Sequence, residues 1–247
     1  MDNSTLFDGP PQVVVDASPH VCPYLPNREA ILPMRLPVRR VSSAEFAELL
    51  AQGDRRQGVL LYRPACHGCR ACTPIRIEVD KFEPSSAQAR AFRQGRNRLR
   101  VVLQRPQVDD ERVDLYNRHR TLRGLDHGDE PIGELEYASF LVETCVDTWE
   151  LGYYLDDRLV GIAIFDRAAD ALSAVYCHYR PDVPGLSIGV FSVMVHLELC
   201  RQWQLPYLYL GFVIDESRAM RYKAGYLPHQ RLEGGVWHTV TRSQAES

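Results

Sequence analysis

The chain reads as an α+β protein. A smaller cysteine-containing N-terminal α/β domain spans residues 1–105, and a larger layered domain spans residues 106–247. Three observations carry this reading. In the C-terminal part, three strand-like runs precede a long apolar helix, a further strand and a short helix. That order builds one sheet covered by helices. In the N-terminal part, cysteines recur at two-residue gaps in LYRPACHGCRACTPIRI, with another upstream in VCPYLP. Between the parts the charge changes sign, from an arginine-rich stretch to the acidic run at Asp109, which sets the boundary near residues 100–107.

Taken in order, PQVVVDA is a short strand, and the prolines after Cys22 make a turn. Ser42 and Ser43 cap a helix to residue 51, with Glu45 near its start and Phe46, Leu49 and Leu50 on one face. Residues 53–58 are a charged loop. Residues 59–62 lead as a strand into the cysteine turn, and residues 76–79 lead out of it, with Ile75, Ile77 and Val79 alternating. Pro84-Ser85-Ser86 opens a second helix, and a strand over 99–104 ends before Pro106. Asp109, Asp110, Glu111 and Asp114 start a third helix, where acids suit the dipole. A helix over 134–145 follows a polar loop. Strands then run over 149–155, 159–165 and 171–179. The long helix covers 188–204, with Val190, Phe191, Met194, Val195, Leu197 and Leu199 as its apolar residues. A buried strand over 206–212, a short helix over 217–224 and a strand over 235–241 complete the sheet.

Hydrophobic residues make up 45% of the chain, enough for a sizeable core. The net charge of −3 excludes a global basic field, so a nucleic-acid surface must be local. Lysine occurs only at positions 81 and 223. Arginine, whose planar fork suits phosphate and carboxylate, supplies the rest of the 29 basic residues. No apolar run approaches the roughly 20 residues of a membrane helix. MDNSTLFDGPPQ lacks the basic and apolar regions of a signal peptide. The expectation is a cytoplasmic protein without a membrane partner, in which seven cysteines mean metal or redox chemistry rather than disulfides.

Cys66, Cys69 and Cys72 can converge in one turn, and Cys22 can complete a four-thiolate set for zinc or an iron–sulfur cluster. Redox-sensing thiols and small core residues are the alternatives. Cys145, Cys177 and Cys200 read as buried apolar residues. On the second helix, Arg90, Arg93 and Arg96 lie near one face, with Arg100 beyond. This is either a phosphate-contacting stripe or a solvated helix side.

YRPACHGCRACTPIRI, preceded by CPYLPNREA and followed by FEPSSAQARAFRQGRN, resembles the N-terminal domain of the aminoacyl-tRNA–protein transferases. That family comprises the arginyltransferases and the bacterial aspartate/glutamate leucyltransferases. ALSAVYCHYRPDVPGLSIGVFSVMVHLELC and LPYLYLGFVIDESRAMRYKAGYLP resemble its C-terminal domain. The matching positions are Ser173, Val175, Tyr176, Ser187, Gly189, Tyr209, Leu210, Gly211, Met220, Tyr222 and Lys223. Together the two resemblances cover roughly residues 22–230. The chain departs from the family pattern at SSAQAR, RNRLR, Phe212-Val213 and Ala219. The hairpin around Asp156-Asp157-Arg158 also resembles the N-acetyltransferase (GNAT) fold. GLSIGVFS lacks the glycine-rich pyrophosphate loop of acyl-CoA-binding members, which argues against acetyl-CoA as donor.

The resemblance implies a GNAT-like C-terminal domain. It implies transfer of an amino acid from aminoacyl-tRNA to the N-terminal α-amine of proteins beginning with Asp or Glu, a mark for the N-degron pathway. Leucine is favoured by the compact length, with arginine as the other donor. The transfer itself requires no cofactor; an iron–sulfur cluster or zinc at Cys22, Cys66, Cys69 and Cys72 is the family-based expectation. The donor ester is already activated, so the site must position two substrates, accept a proton and stabilise an oxyanion. Backbone N–H groups at a bulge in PYLYLGF are candidates for the last task. Tyr209, Tyr222, Lys223 and Asp215 are the expected catalytic residues. Arg76, Tyr176, His178 and Arg221 are expected at the substrates, and Arg90, Arg93, Arg96 and Asn97 at the tRNA. Two other readings stay open: a GNAT-type acyl-CoA transferase, and a non-catalytic redox or RNA-binding relative.

Overall fold

The structure is a computed structural model that describes residues 10–126 and 129–245. Strands β1 (Gln12–Asp16), β2 (His20–Val21), β3 (Glu29–Ala30) and β4 (Met34–Pro37) are short. Helix α1 (Ser43–Ala51) opens on a capping box between Ser42 and Glu45 and buries Phe46, Leu49 and Leu50. Strands β5 (Arg55–Gln57) and β6 (Leu60–Tyr62) form a hairpin turned at Gly58, whose φ of 56° suits glycine. These strands make a small sheet in the order β1-β4-β6-β5, while β2 pairs with β3.

Strand β7 (Thr73–Glu78) leaves the cysteine turn. Helix α2 (Ser86–Arg98) starts on a second capping box, Ser85 with Gln88, and β8 (Arg100–Gln104) follows it. Helix α3 (Asp110–Arg123) is capped by the Asp109 side chain. Helix α4 (Glu134–Tyr137) continues as a π turn, Ala138–Val142. It stops short of the expected residue 145 because Cys145 and Val146 turn into a core cluster, where Cys145 O accepts from Val41 N (2.8 Å). Then come β9 (Asp147–Leu155), β10 (Arg158–Arg167), β11 (Ala171–Tyr179) and helix α5 (Ile188–Gln202). Strand β12 (Tyr207–Val213), β13 (His229–Glu233), β14 (Val236–Val240) and helix α6 (Arg242–Ala245) close the chain.

The large sheet has the order β14-β13-β7-β12-β11-β10-β9-β8. The expected domain boundary at 105/106 falls between β8 and α3, and strands from both sides of it share this sheet. Strand β13 was not anticipated, since HQRLE shows no apolar alternation. The segment expected to be a helix over 217–224 is a 3-10 turn, Arg221–Gly225, tied down where Lys223 bonds to β12.

The main core lies between the sheet and α5, around Ile75, Ile77, Tyr153, Phe191, Leu197 and Leu208. Helix α2 packs on α5 through Gly95. A Cβ there would fall 2.2 Å from the Phe191 ring, so only glycine permits the approach. A second cluster joins α1 to the opposite face through Phe46, Leu49, Leu50, Leu61 and Tyr209. A third lies under α3, around Leu115, Tyr116, Tyr137 and Ile162. Polar ties bind the first hundred residues to the rest. Arg56 Nε donates to Asp166 Oδ2 (2.8 Å) with both side chains fully buried, and Trp237 Nε1 donates to Ala51 O (3.0 Å). Among the described residues, no helix is long and apolar enough to cross a membrane.

Candidate active site

The site begins where two strands part. β11 and β12 are parallel and pair only at Ala171–Tyr207, Leu172–Leu208 and Ser173–Tyr209. Beyond that point β11 continues to Tyr179 and β12 to Val213 without pairing to each other, which leaves a wedge between them. Both strands bulge near the split. The register of β12 on β7 shifts between Tyr209 and Gly211, and that of β11 on β10 shifts around Val175. Such bulges re-aim side chains and release backbone groups from the ladder. The expected bulge in PYLYLGF is therefore present at Leu210.

Three groups meet in the wedge. Arg55 Nη2 donates to Ala174 O (2.7 Å), the first β11 carbonyl past the pairing. Gly211 sits on β12 with φ 87°, a conformation that a side chain disfavours. Lys223 Nζ donates to Phe212 O (2.9 Å) and lies 3.7 Å from Met220 Sδ. A Cβ on Gly211 would stand 3.4 Å from Arg55 Nη2 and 3.5 Å from Lys223 Nζ. Two cations thus flank the space left by one missing side chain. Arg55 is 7% exposed and Lys223 9% exposed. Burial pulls the Lys223 ammonium down to about 7, the Arg55 charge pulls in the same direction, and the Cys72 thiol opposes them. The titration of Lys223 therefore falls near neutral pH.

The aromatic rim comes from the same turn. Tyr222 is 55% exposed beside Lys223, whose Nζ lies 6.0 Å from its ring centroid. Arg221 is exposed on the outside of the turn. The Tyr226 hydroxyl is buried and has no partner among the described residues.

Helix α2 carries the arginine stripe next to this turn. Arg90, Arg93, Arg96 and Asn97 are exposed, and no carboxylate among the described residues pairs with the three arginines. A groove of about 670 Å³ runs between the first turns of α2 and the loop before α5, lined by Gln88, Arg90, Gln94, Gly185 and Ser187 among others. Gln88 Nε2 also donates to Gly225 O (3.1 Å), which ties the stripe's helix to the turn that bears Lys223.

Other expected residues are held elsewhere. Tyr209 is buried in the second core cluster, and its hydroxyl accepts from Arg76 Nη1 (3.0 Å). Arg76 lies between the Tyr207 and Trp237 rings, 4.0 and 4.2 Å from their centroids, and also donates to Gln230 Oε1 (2.7 Å). Its guanidinium is stacked and hydrogen-bonded within the fold. Both Asp215 oxygens accept from Arg231 (2.7 and 3.1 Å), so this carboxylate is engaged in a surface ion pair. His178 is fully buried between Tyr116 and Tyr137, and burial pulls it down to about 3, leaving a neutral core imidazole. Tyr176 packs on Tyr116 and Phe140 on the α3 side of the sheet. The wedge therefore brings together Lys223 and Tyr222 from the expected set, and not Tyr209, Asp215, Arg76, Tyr176 or His178.

Cys22, Cys66, Cys69 and Cys72 all line one cavity of about 30 Å³, with Tyr24, Tyr62 and Phe212. Burial and the three neighbouring thiols push Cys72 up to about 12. A backbone N–H and the Arg28 guanidinium, whose Nη1 lies 3.3 Å from Cys69 Sγ, pull Cys69 down. Thiols suit zinc or iron–sulfur chemistry. As placed, however, no three His, Cys, Asp or Glu side chains among the described residues are set to hold a metal ion. The thiols share a cavity without forming a ligand set. The cavity touches the site at Phe212, whose carbonyl holds Lys223.

Sequence reasoning missed Arg55, Gln88 and Tyr226. Arg55 sits in GDRRQG, which reads as solvated charge, and its partner Ala174 lies 119 residues away. A glycine in a strand flanked by aromatics was the one local signal of a close approach.

A mixed sheet that splays between two parallel strands, with a long helix between them in sequence, defines the GNAT-like acyltransferase fold. The solved structure of FemX shares it, with a TM-score of 0.50 over 88% of this chain and 73% of that one at 8% identity, a likeness of fold alone. The model for the arginine-tRNA-protein transferase N terminus matches residues 20–90, and that for the C terminus matches residues 111–233. A Marinobacter nauticus protein named aspartate/glutamate leucyltransferase is 36% identical, over 90% of this chain and 94% of its own length. A Chromobacterium violaceum protein of the same name is 34% identical, over 90% and 92%. The chain belongs to the arginine-tRNA-protein transferase family and is an aminoacyltransferase.

Proposed function

We propose that the protein transfers leucine from leucyl-tRNA to the α-amine of proteins whose first residue is Asp or Glu. The observation that carries the reading is Lys223, buried beside Gly211 in the wedge of a chain whose relatives are named for leucyl transfer. The α-amine attacks the carbonyl carbon of the donor ester as the free base. One of its protons passes to neutral Lys223 Nζ as the C–N bond forms. That proton goes on to the terminal ribose oxygen as the C–O bond breaks, so the lysine returns to its starting state. The bulge of β12 at Leu210 supplies backbone N–H groups suited to the oxyanion. Arg90, Arg93, Arg96 and Asn97 contact tRNA phosphate, and Tyr222 and Arg221 flank the entry to Lys223.

The reaction belongs in the cytoplasm, where aminoacyl-tRNA is made, and the added leucine marks its target for degradation through the N-degron pathway. Zinc or an iron–sulfur cluster at Cys22, Cys66, Cys69 and Cys72 would require those side chains to rearrange, and would act on structure rather than on the transfer.

The test supplies tRNA charged with labelled leucine or arginine, and peptides beginning with Asp, Glu, Arg or Ala. Leucine appearing on the Asp and Glu peptides supports the reading. Arginine appearing there instead overturns the choice of donor, and label on the Arg or Ala peptides overturns the choice of acceptor.

A further inference from the structure

Arg55 and Lys223 pose a physical problem that the transfer step leaves unsolved. Both are more than nine-tenths buried, Arg55 is charged and Lys223 becomes so on taking a proton, and both face the space at Gly211. Among the described residues neither has a carboxylate within ion-pair distance. The acids near Arg55 are committed elsewhere: Asp54 to Arg35 and Arg63, and Asp166 to Arg56 and Thr148. Their other neighbours include the Tyr62 and Tyr209 side chains, the Arg56 cation, the Cys72 thiol, Met220 Sδ and the Phe212 and Ala174 carbonyls, none of them a carboxylate. Buried charge without a counter-ion is costly, and the cost is relieved by a bound anion.

We propose that Arg55, with Lys223 opposite it across Gly211, is the subsite that holds the side-chain carboxylate of the acceptor's first residue. This rests on the transfer reading above. Arg55 is anchored by one Nη2 bond to Ala174 O, which leaves the rest of its fork to grip a carboxylate in two places. In an aspartate only Cα and Cβ separate the α-nitrogen from the carboxyl carbon. One residue can therefore give its carboxylate to Arg55 and its amine to Lys223. Gly211 puts no side chain between the two groups, and it is partly exposed to solvent. A neutral amide of the same shape would leave the buried Arg55 charge uncompensated, so acceptor choice follows from charge.

The experiment compares paired peptides that begin with Asp or Asn, and with Glu or Gln, in the wild type, R55Q and R55K. The readout is the ratio of kcat/KM for acid over amide, which is independent of the fraction of folded enzyme. The ratio is expected to fall at least tenfold in R55Q, through KM, with R55K between R55Q and the wild type. A wild-type ratio in folded R55Q or R55K overturns the subsite. Should the wild type transfer nothing, the transfer reading fails, and the subsite is then judged by direct binding of the same peptides to the wild type. Tighter binding of the Asp than of the Asn peptide, lost in R55K, supports it; equal binding overturns it.

Discussion

Lys223 has two properties that one residue seldom combines: a carbonyl partner and a nearby like charge. Its backbone carbonyl partner accepts a hydrogen bond from either protonation state. Burial and Arg55 then favour the neutral amine, which brings its titration to about 7. In the proposed mechanism the base is active when neutral, so kcat/KM, which reports the free enzyme, rises with pH through about 7. In K223Q the rate is expected to fall by about 100-fold or more. The limb near 7 then disappears, leaving only the titration of the acceptor amine at about 8. A pH–rate profile of the two proteins reads this directly. A limb near 7 that survives in K223Q assigns the proton transfer to another group. The motif around Met220, Tyr222 and Lys223 made this residue legible in the sequence. Its partner Arg55 was not, because two arginines in a loop say nothing about which of them the fold will bury.

The elements explain which expectations held and which moved. Capping boxes at Ser42 and Ser85 placed α1 and α2 where serine followed by Glu or Gln places helices. Strand β11 matched its expected limits, yet strict alternation would misplace its later side chains. Leu172 and Ala174 face the α5 side. The extra residue near Val175 then puts Cys177 and Tyr179 on that side, and turns Tyr176 and His178 toward α3. Local pattern cannot show a bulge whose cause lies in the neighbouring strand. Helix α2 has two distinct faces: Gly95 packs inward on Phe191 while Arg90, Arg93 and Arg96 face out. Changing all three arginines to glutamine is expected to weaken tRNA binding and reduce the slope of log affinity against log salt by roughly two to three, at about 0.7–0.9 per lost phosphate contact. Filter binding across a salt series measures it, and an unchanged slope assigns the stripe to solvent.

At the scale of the whole molecule, the site belongs to both halves of the chain. Arg55 comes from the small N-terminal sheet, Gly211 from the large sheet and Lys223 from the turn after it. Strands β7 and β8 carry N-terminal residues into the large sheet, and the buried Arg56–Asp166 pair fastens β5 to β10. The fold class and the family were legible because motifs lie close together along the chain. The assembled wedge was not, because it depends on contacts between segments more than a hundred residues apart. The central claim is that an α-amine takes an aminoacyl group from a tRNA ester in this wedge. One single-turnover measurement tests it most directly. Labelled leucyl-tRNA is mixed with enzyme and an Asp-initiated peptide, free or N-acetylated, and the product is sequenced by tandem mass spectrometry. The expected result is leucine joined ahead of the aspartate in the free peptide, and no label on the acetylated one. Label that stays on the tRNA, while the same protein acylates the peptide from an acyl-CoA, would contradict the claim.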